Sequence, residues 1–155
     1  IGTFFDEKGI DFKPVGRDKI VLIVKRNHPW AERKSIRPKE LLSERYIIRE
    51  SGSGTEKTVR EALVQAGIEP SLLKIRASLG SNEAVKQAII NGIGAAFISE
   101  MSIQKELTQG EVAVVKVPGL TISRSFFLIR RLRRDLSPPA RAFGNLLLEM
   151  YGEGP

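Results

Sequence analysis

Apolar and polar positions along the chain follow two periods, which predict short strands and amphipathic helices by turns. The apolar runs VLIV (21–24) and YII (46–48) predict buried strands, and KIRASL, AAFIS, VAVVKV and RSFFLIR predict further ones. Helical spacing predicts helices from about residue 54, over NEAVKQAIIN, over MSIQKEL and near the C-terminus. This alternation predicts an α/β fold, with a parallel or mixed sheet covered by helices.

Three of the predicted helices have recognisable start signals. Ser53 and Glu56 have the spacing of a capping box, and Ser81 is predicted to cap the next helix. Ser137 followed by Pro138 is a third start. The apolar positions of the three helices are, in order, Val59, Ala62, Leu63 and Ala66; Ala84, Val85, Ala88 and Ile89; and Ala140, Phe143, Leu146, Leu147 and Met150.

Composition narrows the class of protein. The 155 residues contain no cysteine, which excludes a disulfide framework, a thiolate metal site and a cysteine nucleophile. No stretch approaches the roughly 18 apolar residues of a membrane span, and the start lacks a secretory pattern, so we expect no membrane and a cytoplasmic location. Because the chain begins with Ile1 in a predicted strand end, we expect a truncated chain.

The net charge of +7 raises the question of nucleic acid binding. The charge is scattered, and its densest run comprises Arg130, Arg131, Arg133 and Arg134. No aromatic residues are interleaved there, so we predict a solvated loop; the alternative is a patch that follows phosphates.

The segment YIIRESGSGTEKTVREAL predicts a binding site, because a buried strand enters a Gly/Ser-rich turn that opens into a helix. N–H groups of the first helical turn, the positive end of the helix dipole and the hydroxyls of Ser51, Ser53 and Thr55 should converge there. Gly52 and Gly54 would let the backbone approach a ligand closely.

A second turn of this kind, in ASLGSNEAVKQ, should bring Gly80, Ser81 and Asn82 to the same carboxyl edge of the sheet. Two such turns predict a small polar or anionic ligand. The alternative is that each serine only caps its own helix.

Catalytic and nucleotide-binding patterns are missing from the sequence. GSGT lacks the lysine of a phosphate-binding P-loop, and GIGAAF lacks the third glycine of a dinucleotide fingerprint. His28, in NHPWA, is the sole histidine and is predicted to lie in a surface loop. No carboxylate pair has the arrangement of a general acid and base, so we expect no enzyme, no metal site and no cofactor.

The segments HPWA, RESGSGT, GSNEAVK and GIGAAFIS occur in the order found in the effector domain of LysR-type transcriptional regulators, which the chain resembles over nearly its whole length. The resemblance implies a type 2 periplasmic-binding-protein-like fold of two α/β lobes, with mixed sheets flanked by helices and a small effector in the cleft. Lobe II would be residues 19–130, and residues 1–18 with 131–155 would belong to lobe I. The first half of lobe I and the winged helix-turn-helix would lie outside this chain.

The resemblance also implies site residues and partners. It adds Thr3 to the effector-binding candidates Ser51, Ser53, Gly54, Thr55, Gly80, Ser81 and Asn82. Glu56 departs from the arginine that many relatives have after SGT, which argues against a strongly anionic effector. We expect a bacterial ligand-controlled regulator that forms a homodimer or homotetramer and reads DNA through the missing domain. The alternatives are a free-standing solute-binding receptor of the same fold and an enzyme built on that fold.

Overall fold

The computed structural model describes residues 9–133 and 135–152. Its strands are β1 (Ile10–Lys25), β2 (Arg45–Arg49), β3 (Lys74–Leu79), β4 (Ala96–Ser99), β5 (Val112–Val115) and β6 (Ile122–Arg131). Its helices are α1 (Gly54–Gln65), α2 (Asn82–Ile90), α3 (Gln104–Thr108) and α4 (Pro138–Tyr151). Short 3-10 segments occupy Pro38–Ser43, Pro70–Leu72 and Glu100–Ile103. The predicted order of strands and helices is confirmed.

The strands form a mixed arrangement, as predicted. β1 pairs antiparallel with β4, from Ile20 opposite Ser99, and with β5, from Leu22 opposite Val115. β6 also pairs with β1. β2 and β3 are parallel, and a bridge between Tyr46 and Ala95 links β2 to the segment that enters β4. Because β2 and β3 are parallel, their carboxyl ends lie at one edge.

The chain divides into two compact units. The larger comprises Lys19–Ser123, and the smaller combines the residues up to Asp18 with those from Arg124 onward. The division after Asp18 coincides with the start that the resemblance implied for lobe II, whereas the second division falls within β6, after Ser123. That the two units correspond to the two lobes of the family stays a prediction.

The larger unit has two apolar clusters, one on each face of its strands. Alternating side chains of β2 divide between them: Tyr46 packs in one, with Leu63 of α1, and Ile47 packs in the other, with Ile89 of α2. Each of these four side chains is at most 1% exposed. The prediction of strands covered by helices is therefore confirmed, and the structure adds that α1 and α2 pack in different clusters.

The helix starts match the sequence in position but differ in detail. Ser81 caps α2, because its Oγ accepts a hydrogen bond from the N–H of Ala84 at 3.1 Å. Ser53 stands at the N-cap of α1 without a side-chain capping bond, and the Glu56 carboxylate accepts from Arg60 Nε at 2.9 Å. The predicted capping box is therefore wrong, since Glu56 pairs with the following turn.

The smaller unit contains α4, whose apolar residues are largely exposed. Gly144 faces β6, where a Cβ atom in its place would lie 3.7 Å from Leu128 Cδ2. Phe143 is 63% exposed and Met150 61% exposed.

The basic run Arg130–Arg134 differs from the predicted loop, because Arg130 and Arg131 end β6 and Arg130 Nε lies 2.8 Å from Asp11 Oδ2. Arg134 lies outside the described residues.

Candidate functional site

Arg49, the last residue of β2, connects the two turns that the sequence nominated. Its Nη1 donates a hydrogen bond to Asn82 Oδ1, at 2.7 Å, across 33 positions of sequence. Its Nε and Nη2 donate to the two carboxylate oxygens of Glu50, at 2.7 and 2.8 Å. The two strand-end turns thus meet through one guanidinium group, as expected for the carboxyl edge of parallel strands.

The first turn runs from Glu50 into α1 and has the geometry that its glycines predict. Gly52 adopts a φ of 88°, a conformation that favours glycine, and the N–H of Ser53 donates to the carbonyl of Glu50 at 3.1 Å. Intrahelical bonding begins with the N–H of Lys57, which donates to Ser53 O. The amino end of α1 therefore opens directly from this turn.

The predicted residues of the first turn differ in exposure. Thr55 is buried, with 4% exposure, whereas Ser51 is exposed and Ser53 and Gly54 are half-buried. The turn therefore presents Ser51 openly and Ser53 in part, whereas Thr55 would be reached only by a ligand group that enters the turn.

Polar side chains of the second turn already make hydrogen bonds within the protein. Ser81 Oγ accepts from the helix that it caps, and Asn82 Oδ1 accepts from Arg49. Gly80 is exposed, and no atom would come within 4 Å of a Cβ at that position. Ser81 therefore caps its own helix, as the alternative interpretation predicted. Its hydroxyl hydrogen can still donate a hydrogen bond to a ligand.

The electrostatics of the site are those of a tight ion pair. Hydrogen bonds from Arg49 lower the pKa of Glu50 to about 2, and the same bonds raise the pKa of Arg49. Both groups are charged at neutral pH. An anionic ligand would compete with Glu50 for the guanidinium, and a neutral hydroxyl-bearing ligand would bond to the turn beside it.

The remaining predictions from the sequence concern residues away from these two turns. Thr3 lies outside the described residues. His28 lies in a loop as predicted but is held in place: Nε2 is 3.0 Å from Glu44 Oε2, and Nδ1 accepts from the N–H of Trp30 at 3.1 Å. Within residues 9–133 and 135–152, no group of three potential metal ligands comes together, and no helix is long and apolar enough to cross a membrane.

The LysR substrate binding domain family matches residues 1–152 of the chain. The chain belongs to this family. The match spans both units, including the two turns that meet at Arg49. Membership of the family explains why the segments HPWA, RESGSGT, GSNEAVK and GIGAAFIS occur in this order along the chain.

Known relatives of this LysR domain are transcriptional regulators and not enzymes. It is 32% identical over 145 residues to a probable RuBisCO transcriptional regulator of Cyanophora paradoxa, covering 94% of this chain and 45% of that protein. It is 33% identical over 135 residues to the RuBisCO operon transcriptional regulator of Acidithiobacillus ferrooxidans, covering 87% of this chain and 43% of that protein. The chain thus spans a little under half the length of these two relatives.

A solved structure with the same fold is the regulatory domain of CcmR from Synechocystis PCC6803 in complex with 2-PG. The TM-score is 0.86 at 27% identity, covering 97% of this chain and 71% of that chain. The two-lobe, periplasmic-binding-protein-like fold class predicted for the LysR domain is confirmed, with mixed sheets flanked by helices.

Arg49 is the functional candidate that sequence reasoning missed. It stands directly before the nominated ESGSGT turn, as a cation at the end of an otherwise apolar strand. That position at a strand end was the available signal, because a charged residue there lies at the edge where α/β folds bind ligands.

Proposed function

We propose that the turn Ser51–Thr55 and the turn Gly80–Asn82 bind a small polar or anionic effector, and that its binding controls transcription by the complete regulator. The observation that carries this proposal is the Arg49 guanidinium, which joins the two turns through Asn82 and Glu50. A group that displaces Glu50 from Arg49 would change the contacts of both turns at once. Ligand binding would in this way change the conformation of both turns.

The chemistry of the turns supports an effector with several hydroxyl or carboxylate oxygens. Hydroxyls of Ser51, Ser53 and Thr55 and the amino end of α1 supply donors, and a cation lies beside them. The related CcmR domain was solved in complex with 2-PG, which makes 2-PG a reasonable first ligand to test here. We also propose Thr3 as an effector-binding residue, on the family resemblance alone.

Our proposals for DNA binding and cellular location rest on membership of the LysR family. We propose that the complete protein binds DNA through a winged helix-turn-helix outside this chain, and that it acts in the cytoplasm, where its DNA lies. A free-standing solute receptor is less well supported, because the curated relatives are transcriptional regulators. The basic residues of this chain are then not the DNA-reading surface.

Replacing Thr55 by valine in the full-length regulator is expected to weaken effector binding by about two- to tenfold. Valine keeps the shape of threonine, and a lost hydrogen bond to a polar ligand costs about 0.5–1.5 kcal/mol. Titration calorimetry with 2-PG and with a panel of small hydroxy acids measures the affinity, starting from whichever compound binds the unaltered protein.

Thr58→Val is the matched control for this measurement. Thr58 lies one turn further along α1, is half-buried, and donates its hydroxyl to the carbonyl of Gly54 at 2.8 Å. Its loss should leave effector affinity unchanged. Equal affinities for the Thr55→Val variant and the unaltered protein would remove Thr55 from the site.

We further propose that the outward face of α1 forms part of a homodimer interface, with the first lobe of a second subunit opposite. The face comprises Lys57, Arg60, Glu61 and Val64, and all four are exposed. Val64 is 58% exposed, and Ile75 on strand β3 is 45% exposed. Exposed apolar side chains on a charged helix face are what an isologous interface would cover.

A Val64→Glu substitution in the complete effector domain is expected to weaken this dimer at least tenfold, because an interface would bury the new carboxylate without a partner. Light scattering over a concentration series measures the association. Met101→Glu is the control, because Met101 is 67% exposed in the Glu100–Ile103 segment, away from α1 in sequence. A domain that stays monomeric at high micromolar concentration would contradict the proposed dimer.

A further inference from the structure

A small cavity lies beside α1 in the larger unit, against the strands β2 and β3. Its volume is about 70 Å³. Three of the side chains that line it, Leu63, Leu73 and Phe97, are at most 9% exposed. Glu56 and Arg60, which also line it, form an ion pair on the partly exposed surface of α1. The cavity therefore has an apolar interior and a charged margin.

Tyr46 lines the same cavity and has an unsatisfied hydroxyl group. Its side chain is fully buried, and its ring stacks on Phe97 with the centroids 5.9 Å apart. Among the described residues, no partner hydrogen-bonds to the Tyr46 hydroxyl. Buried hydroxyls are nearly always hydrogen-bonded, so an orphan donor beside a cavity indicates a missing partner. Burial also raises the pKa of Tyr46, so the phenol keeps its proton and can donate.

We propose that this cavity is a second ligand site, which takes a small uncharged molecule with a short apolar body and one hydrogen-bond acceptor for Tyr46. A cavity of about 150 Å³ admits benzene, so one of 70 Å³ admits only a few heavy atoms or the end of a longer molecule. Charge is excluded from the interior because an unpaired ion would be desolvated against Leu63, Leu73 and Phe97.

The proposed site adjoins the effector turns but has a different, largely apolar lining. Arg49 and Thr55 belong to both sites, whereas Ser51, Gly80, Ser81 and Asn82 do not line the cavity. Both sites involve α1: its amino end opens from the effector turn, and its buried side lines the cavity. Occupation of the cavity would stabilise the packing of α1 on β2, so the second ligand would act on the helix that carries the turn.

The test uses two small probes that differ in hydrogen bonding, 2-butanone and xenon. Amide resonances of Val59, Leu63 and Leu73 are expected to shift saturably with both in the NMR spectrum of this chain. Tyr46→Phe keeps the ring on Phe97 and removes the donor. It should weaken 2-butanone about two- to tenfold and leave xenon unchanged. Tyr151→Phe, at an exposed position of α4, should change neither.

A filled cavity provides a second, independent measurement. Val59 lines the cavity and is half-buried, and Val59→Phe should abolish binding of both probes while circular dichroism shows the helix content retained. Saturable binding of xenon with no binding of 2-butanone would identify an apolar void only and overturn the proposal. Unchanged 2-butanone affinity in Tyr46→Phe, or in a folded Val59→Phe variant, would overturn it as well.

Discussion

Lys86→Met is expected to destabilise the larger unit by about 3–5 kcal/mol, because it leaves a buried carboxylate without its cation. Lys86 Nζ lies 2.7 Å from Glu106 Oε1 and thereby joins α2 to α3. The side chains of Lys86 and Glu106 are 12% and 7% exposed, and the second oxygen of Glu106 has no partner among the described residues. Urea unfolding followed by the fluorescence of the single tryptophan, Trp30, which lies in the same unit, measures the loss.

Two further variants separate the charge effect from general damage. Lys57→Met breaks the pair with Glu61, whose side chains are 58% and 59% exposed, and should cost less than about 0.5 kcal/mol. The double substitution Lys86→Met with Glu106→Leu removes both charges and should recover most of the lost stability. A double variant as unstable as Lys86→Met alone would contradict the explanation by a buried charge.

The pH dependence of these proteins has a definite sign. In the unaltered chain the hydrogen bond from Lys86 lowers the pKa of Glu106. The stability from this pair is therefore present above the ordinary carboxyl pKa and is lost as the pH falls through the lowered, folded-state value. In Lys86→Met the uncompensated burial of Glu106 should raise that pKa, so the deficit of the variant should shrink as the pH is lowered. A deficit that is constant with pH would assign the loss to packing.

The sequence predicted the strands, helices and family because each depends on local periodicity or on the order of short segments. The continuous apolar run YII predicted a buried strand, and the side chains of Tyr46 and Ile47 enter different apolar clusters. The capping role of Ser53 was not predictable, because several oxygens compete for the same N–H groups at a helix start. Glu56 could bond back to the N-cap or forward to Arg60, and the sequence does not distinguish these.

The sequence predicted the two turns of the candidate site but not the hydrogen bond from Arg49 to Asn82 that connects them. Ser51–Thr55 and Gly80–Asn82 each follow a strand, so their place at one edge follows from parallel pairing. The bond between Arg49 and Asn82 depends on the register of β2 against β3, in which Arg49 lies opposite Leu79. Register between strands is a tertiary property. The cavity beside Tyr46 is also a property of packing, since it depends on how α1 and the 3-10 segment Pro70–Leu72 leave space between them.

The GIGAAF segment contains the glycine with the largest expected effect on stability. Gly94 passes directly over the start of β2, where a Cβ atom would overlap the carbonyl oxygen of Arg45 and lie 3.0 Å from its carbonyl carbon. That backbone cannot move away easily, because the Arg45 carbonyl accepts from Ala95 N–H at 2.8 Å and the N–H of Ile47 donates to Ala95 O at 2.9 Å.

Gly94→Ala is therefore expected to cost about 2–3 kcal/mol, the upper part of the range for overpacked positions, through broken bonds between β2 and the start of β4. Gly80→Ala is the matched control, because no atom lies within 4 Å of a Cβ there and its φ is not in the left-handed region; its stability should stay within about 1 kcal/mol of the unaltered chain. Urea unfolding followed by Trp30 fluorescence compares the two. Hydrogen exchange should show lost protection at Ala95 and Ile47 in Gly94→Ala. Equal stability of the two variants would show that the backbone at Arg45 yields, and that the close approach at Gly94 does not hold β2 in place.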